Sequence, residues 1–234
     1  MAYILSPFFL TPPVTPNSLA NLLRWYKADS FSLADGTAIG GTGNEWIDQT
    51  GSGNDLTEST ALNRPVFHTN IYGTMPAVQF IAANPSWMTM PLVTLGASTQ
   101  FTIAIVGATG SCIVLGHNSA NMQVRTGHAG NNLFFYAGVG VDSNVCTTAN
   151  TSVRMEIYRR DDAAGSMSFR DGKVNITLGG SDSNASTLNR LSDPNFGLHI
   201  NGYIAEICIW TTNHTNADLD NLYDNYFKPR WGLP

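Results

Sequence analysis

Turn-forming residues interrupt this sequence so often that only short extended segments fit between them. The 22 glycines and 11 prolines, with many Ser, Thr, Asn and Asp, sit between short apolar runs. Gly accepts positive φ, Pro fixes φ, and Asn and Asp bond their own backbone, so each such cluster ends an element. The runs themselves read as strands. In QFTIAIVG, Phe101, Ile103 and Ile105 alternate while the intervening positions are also apolar, which predicts a central strand covered on both faces. Ile204, Ile207 and Ile209 around EICIW predict another strand. Asp171-Gly172 in SFRDGKVNI predicts a tight hairpin, because such turns need positive φ.

The expected fold is therefore all-β, an antiparallel sandwich, with strands near 76–81, 86–92, 100–108, 111–116, 121–126, 132–138, 152–160, 165–170, 173–178, 195–200 and 202–210. Two helical pieces are predicted around them. A short turn over Ser18–Ala28 would be capped by Asn17 or Ser18 and present Leu19, Leu22, Leu23 and Tyr26 on one face. A longer helix, Ala217–Phe227, would be capped by Thr215 or Asn216 and ended by Pro229. Residues 1–17 read as an extended, Pro-rich arm ahead of one domain spanning 18–234. In that arm Tyr3, Ile4, Leu5, Phe8, Phe9 and Leu10 form an apolar group that needs a surface to lie against, either its own sandwich or another chain.

Composition removes several function classes. Twelve basic against 17 acidic residues give a net charge of −5, and Arg159-Arg160 is answered at once by Asp161-Asp162. No basic stripe exists to neutralise phosphates, so nucleic acid is not the expected partner. No window is long and apolar enough for a membrane-spanning helix. The N-terminus lacks a basic n-region, and Pro7, Pro12, Pro13 and Pro16 break its apolar stretch, so no signal peptide is expected. The Asn-x-Ser/Thr triplets at Asn150, Asn175, Asn184 and Asn213 are then chance matches. Three widely spaced cysteines, Cys112, Cys146 and Cys208, suit neither a disulfide framework nor a zinc site, and Cys208 reads as core filler. The histidines, His68, His117, His128, His199 and His214, have no metal-pair spacing.

Taken in order, LLRWYKADS, WIDQTGSGNDL, RPVF, MPAVQF, SFRDGKV, GYIAEICIW and YFKPRWGL resemble the concanavalin A-like lectin/glucanase superfamily, in particular laminin G-like jelly rolls of phage virion proteins. The resemblance covers residues 19–233. It implies a jelly-roll β-sandwich with a short C-terminal helix, and oligomers of the kind decoration proteins form. In WIDQTGSGNDL, Asp48, Asn54 and Asp55 offer oxygen ligands for calcium, although polar side chains bonding the backbone of a tight loop explain them more simply. No cofactor is expected.

Glucanases resembling this fold place acids at alternate strand positions, since only those share a groove and a retaining mechanism needs two carboxyls about 5 to 5.5 Å apart. Glu45, Glu58, Glu156 and Glu206 carry no such pattern, so no enzyme activity is expected. Glu206, inside an apolar strand, is expected to bond a backbone amide or Arg24. Nor is there a nucleophile elbow, a phosphate loop or a dinucleotide fingerprint. Two roles remain. The first is a virion protein, assembled in host cytoplasm as a capsid decoration or fibre component, docking through the arm on other subunits of the particle. The alternative is a lectin module reading cell-surface glycan, with Trp87 and Tyr136 as stacking aromatics.

Overall fold

The computed structural model describes residues 13–83, 86–97, 99–117, 123–128, 130–146, 149, 151–177, 180–192 and 198–234. Its strands are β1 (Leu22–Lys27), β2 (Thr37–Ala38), β3 (Val66–Tyr72), β4 (Met75–Phe80), β5 (Met88–Leu95), β6 (Phe101–Ala108), β7 (Cys112–Gly116) and β8 (Gln123–His128). They continue as β9 (Asn132–Tyr136), β10 (Gly140–Val145), β11 (Arg154–Arg160), β12 (Met167–Asp171), β13 (Val174–Asn175), β14 (Ser186–Leu191) and β15 (Gly202–Trp210). A nine-stranded sheet runs β13-β12-β11-β6-β15-β4-β3-β2, with β1 also on β15; a six-stranded sheet runs β10-β9-β8-β7-β14-β5. All pairs are antiparallel, and the two sheets form the expected jelly-roll-like sandwich.

Period-two alternation builds the core between the sheets. Register aligns Phe101 with Arg160, Ile103 with Tyr158 and Ile105 with Glu156, and sets Ile207 and Ile209 beside them on the same face. Facing them from the smaller sheet are Val124, Leu133 and Phe135, and the Phe101 and Phe135 rings lie 5.2 Å apart. β6 is central and buried on both faces, as QFTIAIVG predicts, because the C-terminal helix covers the outer face of the larger sheet. Leu219, Leu222, Phe227 and Trp231 are buried in that second contact layer. Two arginines tie it down: Arg159 donates to the His214 carbonyl (2.8 Å), and Arg170 pairs with Asp220.

Three expectations are corrected. Residues 22–27 form strand β1 rather than a helical turn, between single 3-10 turns at Pro16–Ser18 and Ala28–Ser30. Tertiary pairing overrides the helical spacing, since Asn21 at φ 61° turns the chain onto β15 and Trp25 falls opposite Cys208. Pro229 does not end the last helix, which runs Asn216–Leu222, passes through a π turn at Tyr223–Phe227, and continues over Lys228–Trp231. Pro229 follows directly on the π turn, and Gly232 at φ 64° ends the helix. Residues 198–200 are not a strand, and 195–197 lie outside the described residues. The Asp171-Gly172 hairpin is present, with Asp171 opposite Val174 and Gly172 at φ 58° in the turn. Thr215 caps the helix: its hydroxyl accepts from the Asp218 N–H, and Asp218 returns the bond.

Candidate functional site

The segment Asn132–Tyr136, NLFFY, places Leu133 and Phe135 in the core and leaves Phe134 and Tyr136 half-buried on the outer face of the six-stranded sheet. Register then assembles two rows across neighbouring strands. Gln123, Tyr136 and Gly140 form one; Arg125, Phe134 and Asp142 form the other. The Phe134 and Tyr136 rings are nearly parallel, 13° apart with centroids at 6.3 Å. His128 lies against Phe134 at 4.5 Å, and the Arg125 guanidinium lies over it at 5.4 Å. Gly140 makes room for this strip, since a Cβ there would fall 2.9 Å from the Phe134 ring. The result is a continuous aromatic surface, with Gln123, Arg125 and Asp142 as polar groups along its edges.

The strip is held from behind. Asp182, 1% exposed, accepts hydrogen bonds from the N–H groups of Ala137 (2.6 Å) and Val139 (3.2 Å), fixing the turn that follows Tyr136. It also accepts from the Asn184 N–H at 3.0 Å. Asp142 is engaged by His128, whose Nδ1 lies 2.5 Å from its carboxylate. Such bonds set the polar rim before any ligand arrives.

Both aromatics expected to meet a sugar lie on this face but not together. Tyr136 belongs to the strip. The first row continues through Gly116 and Arg190 to Thr89 on β5, and Trp87, half-buried, lies two residues before Thr89 beneath the Arg190 guanidinium, 5.6 Å from its ring. Four strand spacings separate β9 from β5, roughly 19 Å, so Trp87 and Tyr136 form no common subsite. Tyr3, Ile4, Leu5, Phe8, Phe9 and Leu10 lie outside the described residues.

The calcium candidates are bound up in their own loop. One Asp48 oxygen accepts from the N–H groups of Trp25 (3.1 Å) and Thr50 (3.0 Å), and Asp55 accepts from the Asp48 N–H at 2.8 Å. Asn54 contributes its carbonyl to the Tyr26 hydroxyl at 2.6 Å. Among the described residues no group of three or more His, Cys, Asp or Glu side chains is placed to hold a metal.

Two buried acids have partners that spacing alone did not identify. Glu206 faces outward from the larger sheet, and its donors are neither a backbone amide nor Arg24 but the Trp25 indole (2.5 Å), the Trp231 indole (2.6 Å) and the Tyr226 hydroxyl (2.9 Å). Burial pushes this carboxyl from 4.5 up to about 7, opposed by those three donors and by Lys27. Glu156 faces the other way, into the sandwich. There it accepts from Arg154 Nε at 2.8 Å, the Thr126 hydroxyl and the Tyr158 hydroxyl at 3.0 Å. The alternation of Arg154, Glu156 and Tyr158 in RMEIYRR was the available signal, one polar face on a strand that ends up buried. The three cysteines are free and buried, and burial raises the thiols of Cys112 and Cys208 well above their usual range and that of Cys146 to about 12. They serve as core.

A cavity of about 380 Å³ opens elsewhere, between the Gly172 hairpin and the C-terminal helix, with Arg154, Asp171, Val174, Tyr223 and Lys228 in its lining.

No protein-family model matches the sequence, and no curated protein is significantly similar to it. Solved structures do share the fold. Domain 4 of AbnA, a GH43 extracellular arabinanase from Geobacillus stearothermophilus solved with arabinotriose, aligns with a TM-score of 0.61 at 14% identity, over 87% of this chain and 98% of that one. The binding domain of Paraclostridial Mosquitocidal Protein 1 aligns at 0.61 and 10% identity, and that of botulinum neurotoxin serotype G at 0.56 and 12%. Each match covers 92% of this chain, and 55% and 54% of the toxin chains, so the chain spans about half their length. At these identities the likeness is one of fold.

Proposed function

We propose that this chain is a non-catalytic glycan-binding module that receives sugar on the outer face of its six-stranded sheet. The observation that carries the reading is the Phe134–Tyr136 strip. A sugar ring has an apolar face that stacks on an aromatic ring while its hydroxyls reach polar groups at the edge, and here Gln123, Arg125 and Asp142 stand at that edge. The shared fold with an arabinanase domain solved with arabinotriose supports the same direction. The absence of hydrolysis is part of the proposal, supported by the placement of the two strand glutamates on opposite faces of the larger sheet, Glu156 inward and Glu206 outward.

A glycan array on the purified chain tests the reading, followed by titration of the best binder against the Tyr136→Ala variant. Loss of one stacking ring is expected to weaken binding about tenfold, with an unchanged melting temperature. Uniform silence on the array, or equal affinity in the variant, would remove it. The virion-assembly reading rests on the sequence arguments for the N-terminal arm. A truncation lacking residues 1–16 tests it separately: a folded chain that no longer joins its particle is the expected result, and assembly at full occupancy contradicts it.

A further inference from the structure

The charges on the candidate face do not balance, and the imbalance has a chemical meaning. Its outward groups include two guanidiniums, Arg125 and Arg190, and one carboxylate, Asp142, already engaged by His128. Among the described residues neither arginine forms an ion pair, whereas Arg154, Arg159, Arg170 and Arg230 all do. The sharper case is Arg125. Of its five N–H donors, the one bonded side-chain contact is a long 3.4 Å approach of Nη1 to Gln123, and Nε is buried with no partner. Its plane lies over the Phe134 ring, so the stem and one face are desolvated. Burial pulls this guanidinium below its usual range, with Asp142 opposing. A half-buried, under-bonded cation is costly in the free protein unless something anionic completes it. Arg190 repeats the pattern on a smaller scale: it lies over Trp87, bonds Thr89 at 3.1 Å, and leaves its Nε unpartnered. Arg24, Arg64 and Arg160 also lack ion pairs among the described residues, but their guanidiniums bond backbone carbonyls, at 2.8, 2.9 and 2.9 Å, as that of Arg125 does not.

Resting on the glycan reading above, we propose that the natural ligand of this face is an acidic glycan, carrying a uronate or sialate carboxylate, and that Arg125 is the group that reads it. The sugar ring stacks on Tyr136, and the carboxylate accepts from the free Nη donors of Arg125, which Phe134 holds at the edge of the strip. A planar guanidinium suits this task because its donors match both carboxylate oxygens. Two strand spacings, roughly 10 Å, separate Arg125's strand from that of Arg190, which places a second cation within reach of a longer acidic chain.

The test is calorimetric titration of the full chain with three pairs of probes. These are tri-galacturonate and its carboxyl-reduced counterpart, sialyllactose and lactose, and a Glu-rich peptide beside its Gln-rich analogue. Each is repeated on Arg125→Gln, Arg125→Lys and Tyr136→Ala, with thermal melts to confirm folding. One acidic glycan is expected to bind at least about tenfold more tightly than its neutral partner. Arg125→Gln should erase that preference, bringing the acidic and neutral affinities together whatever their common level, Arg125→Lys should keep part of it, and added salt should reduce it. The uronate and sialate arms identify which sugar carries the carboxylate. Equal binding of acidic and neutral sugars, lost in Tyr136→Ala, overturns the acidic assignment and leaves the glycan reading standing. Acidic preference that survives Arg125→Gln overturns the role of Arg125. Binding of the acidic peptide alone, with every sugar silent, overturns both. Should Arg125→Gln fail to fold, a reduced preference in folded Arg125→Lys decides in favour, and full retention against.

Discussion

Glu206 shows how much one buried side chain can organise. Its carboxyl gathers Trp25 from β1 and Tyr226 and Trp231 from the C-terminal helix onto a single point of β15. Its position in an apolar strand marks it as unusual, but spacing cannot say which donors will reach it. Those donors come from 181, 20 and 25 residues away, and nothing local relates them. The raised pKa has a definite sign. Because the folded value, about 7, exceeds the ordinary 4.5, the protonated acid is favoured in the native state. Its contribution is full below about pH 4.5 and is lost as pH rises through 7. Urea melts of the wild type and Glu206→Gln, compared from pH 4 to 8, should show the wild type losing about 3 kcal/mol relative to the variant across that window. A pH-independent difference would show that the carboxyl does not titrate there.

At the scale of elements, strands flanked by turn residues were legible, and elements fixed by distant partners were not. β6, β15 and the Asp171-Gly172 hairpin follow from alternation and positive φ alone. LLRWYK satisfies both a helical and an extended pattern, and pairing with β15 decides between them. β3, β10 and β14 went unread because their burial patterns are mixed and polar residues interrupt them, as in STLNRL. The end of the C-terminal helix turns on Gly232, not Pro229. Its φ of 64° lets its N–H bond the Lys228 carbonyl at 3.0 Å, and open space surrounds the position a Cβ would take. Gly232→Ala should therefore cost about 1 to 2 kcal/mol through backbone strain alone, read as a lower urea midpoint with an unchanged m-value. No change would mean the helix end frays already.

At the scale of the whole molecule, a polar network joins the two layers inside the sandwich. Arg154 and Glu156 of the larger sheet meet Thr126 of the smaller one, and the Tyr158 hydroxyl reaches across to the Arg125 carbonyl at 2.8 Å. With both charges buried, removing one partner leaves the other uncompensated. Arg154→Met should destabilise by about 3 to 5 kcal/mol, and the double replacement Arg154→Met with Glu156→Leu should recover most of it, as chemical denaturation can measure. The same layering explains what was legible of the site. Tyr136 could be singled out as an aromatic beside a glycine turn, and the alternation in NLFFY puts it on the solvent side. Its neighbours Gln123, Arg125, Phe134 and Asp142 needed the pairing of β8, β9 and β10, which sequence spacing does not encode. Trp87 was credible by type but sits four strands away.

The central claim is a location as much as a function. Amide and side-chain chemical shifts of the labelled protein, followed during titration with the tightest-binding oligosaccharide, test it directly. Saturable shifts are expected at Gln123, Arg125, Phe134, Tyr136 and Asp142. Shifts confined instead to Gly172, Tyr223 and Lys228, around the cavity beside the C-terminal helix, would contradict it.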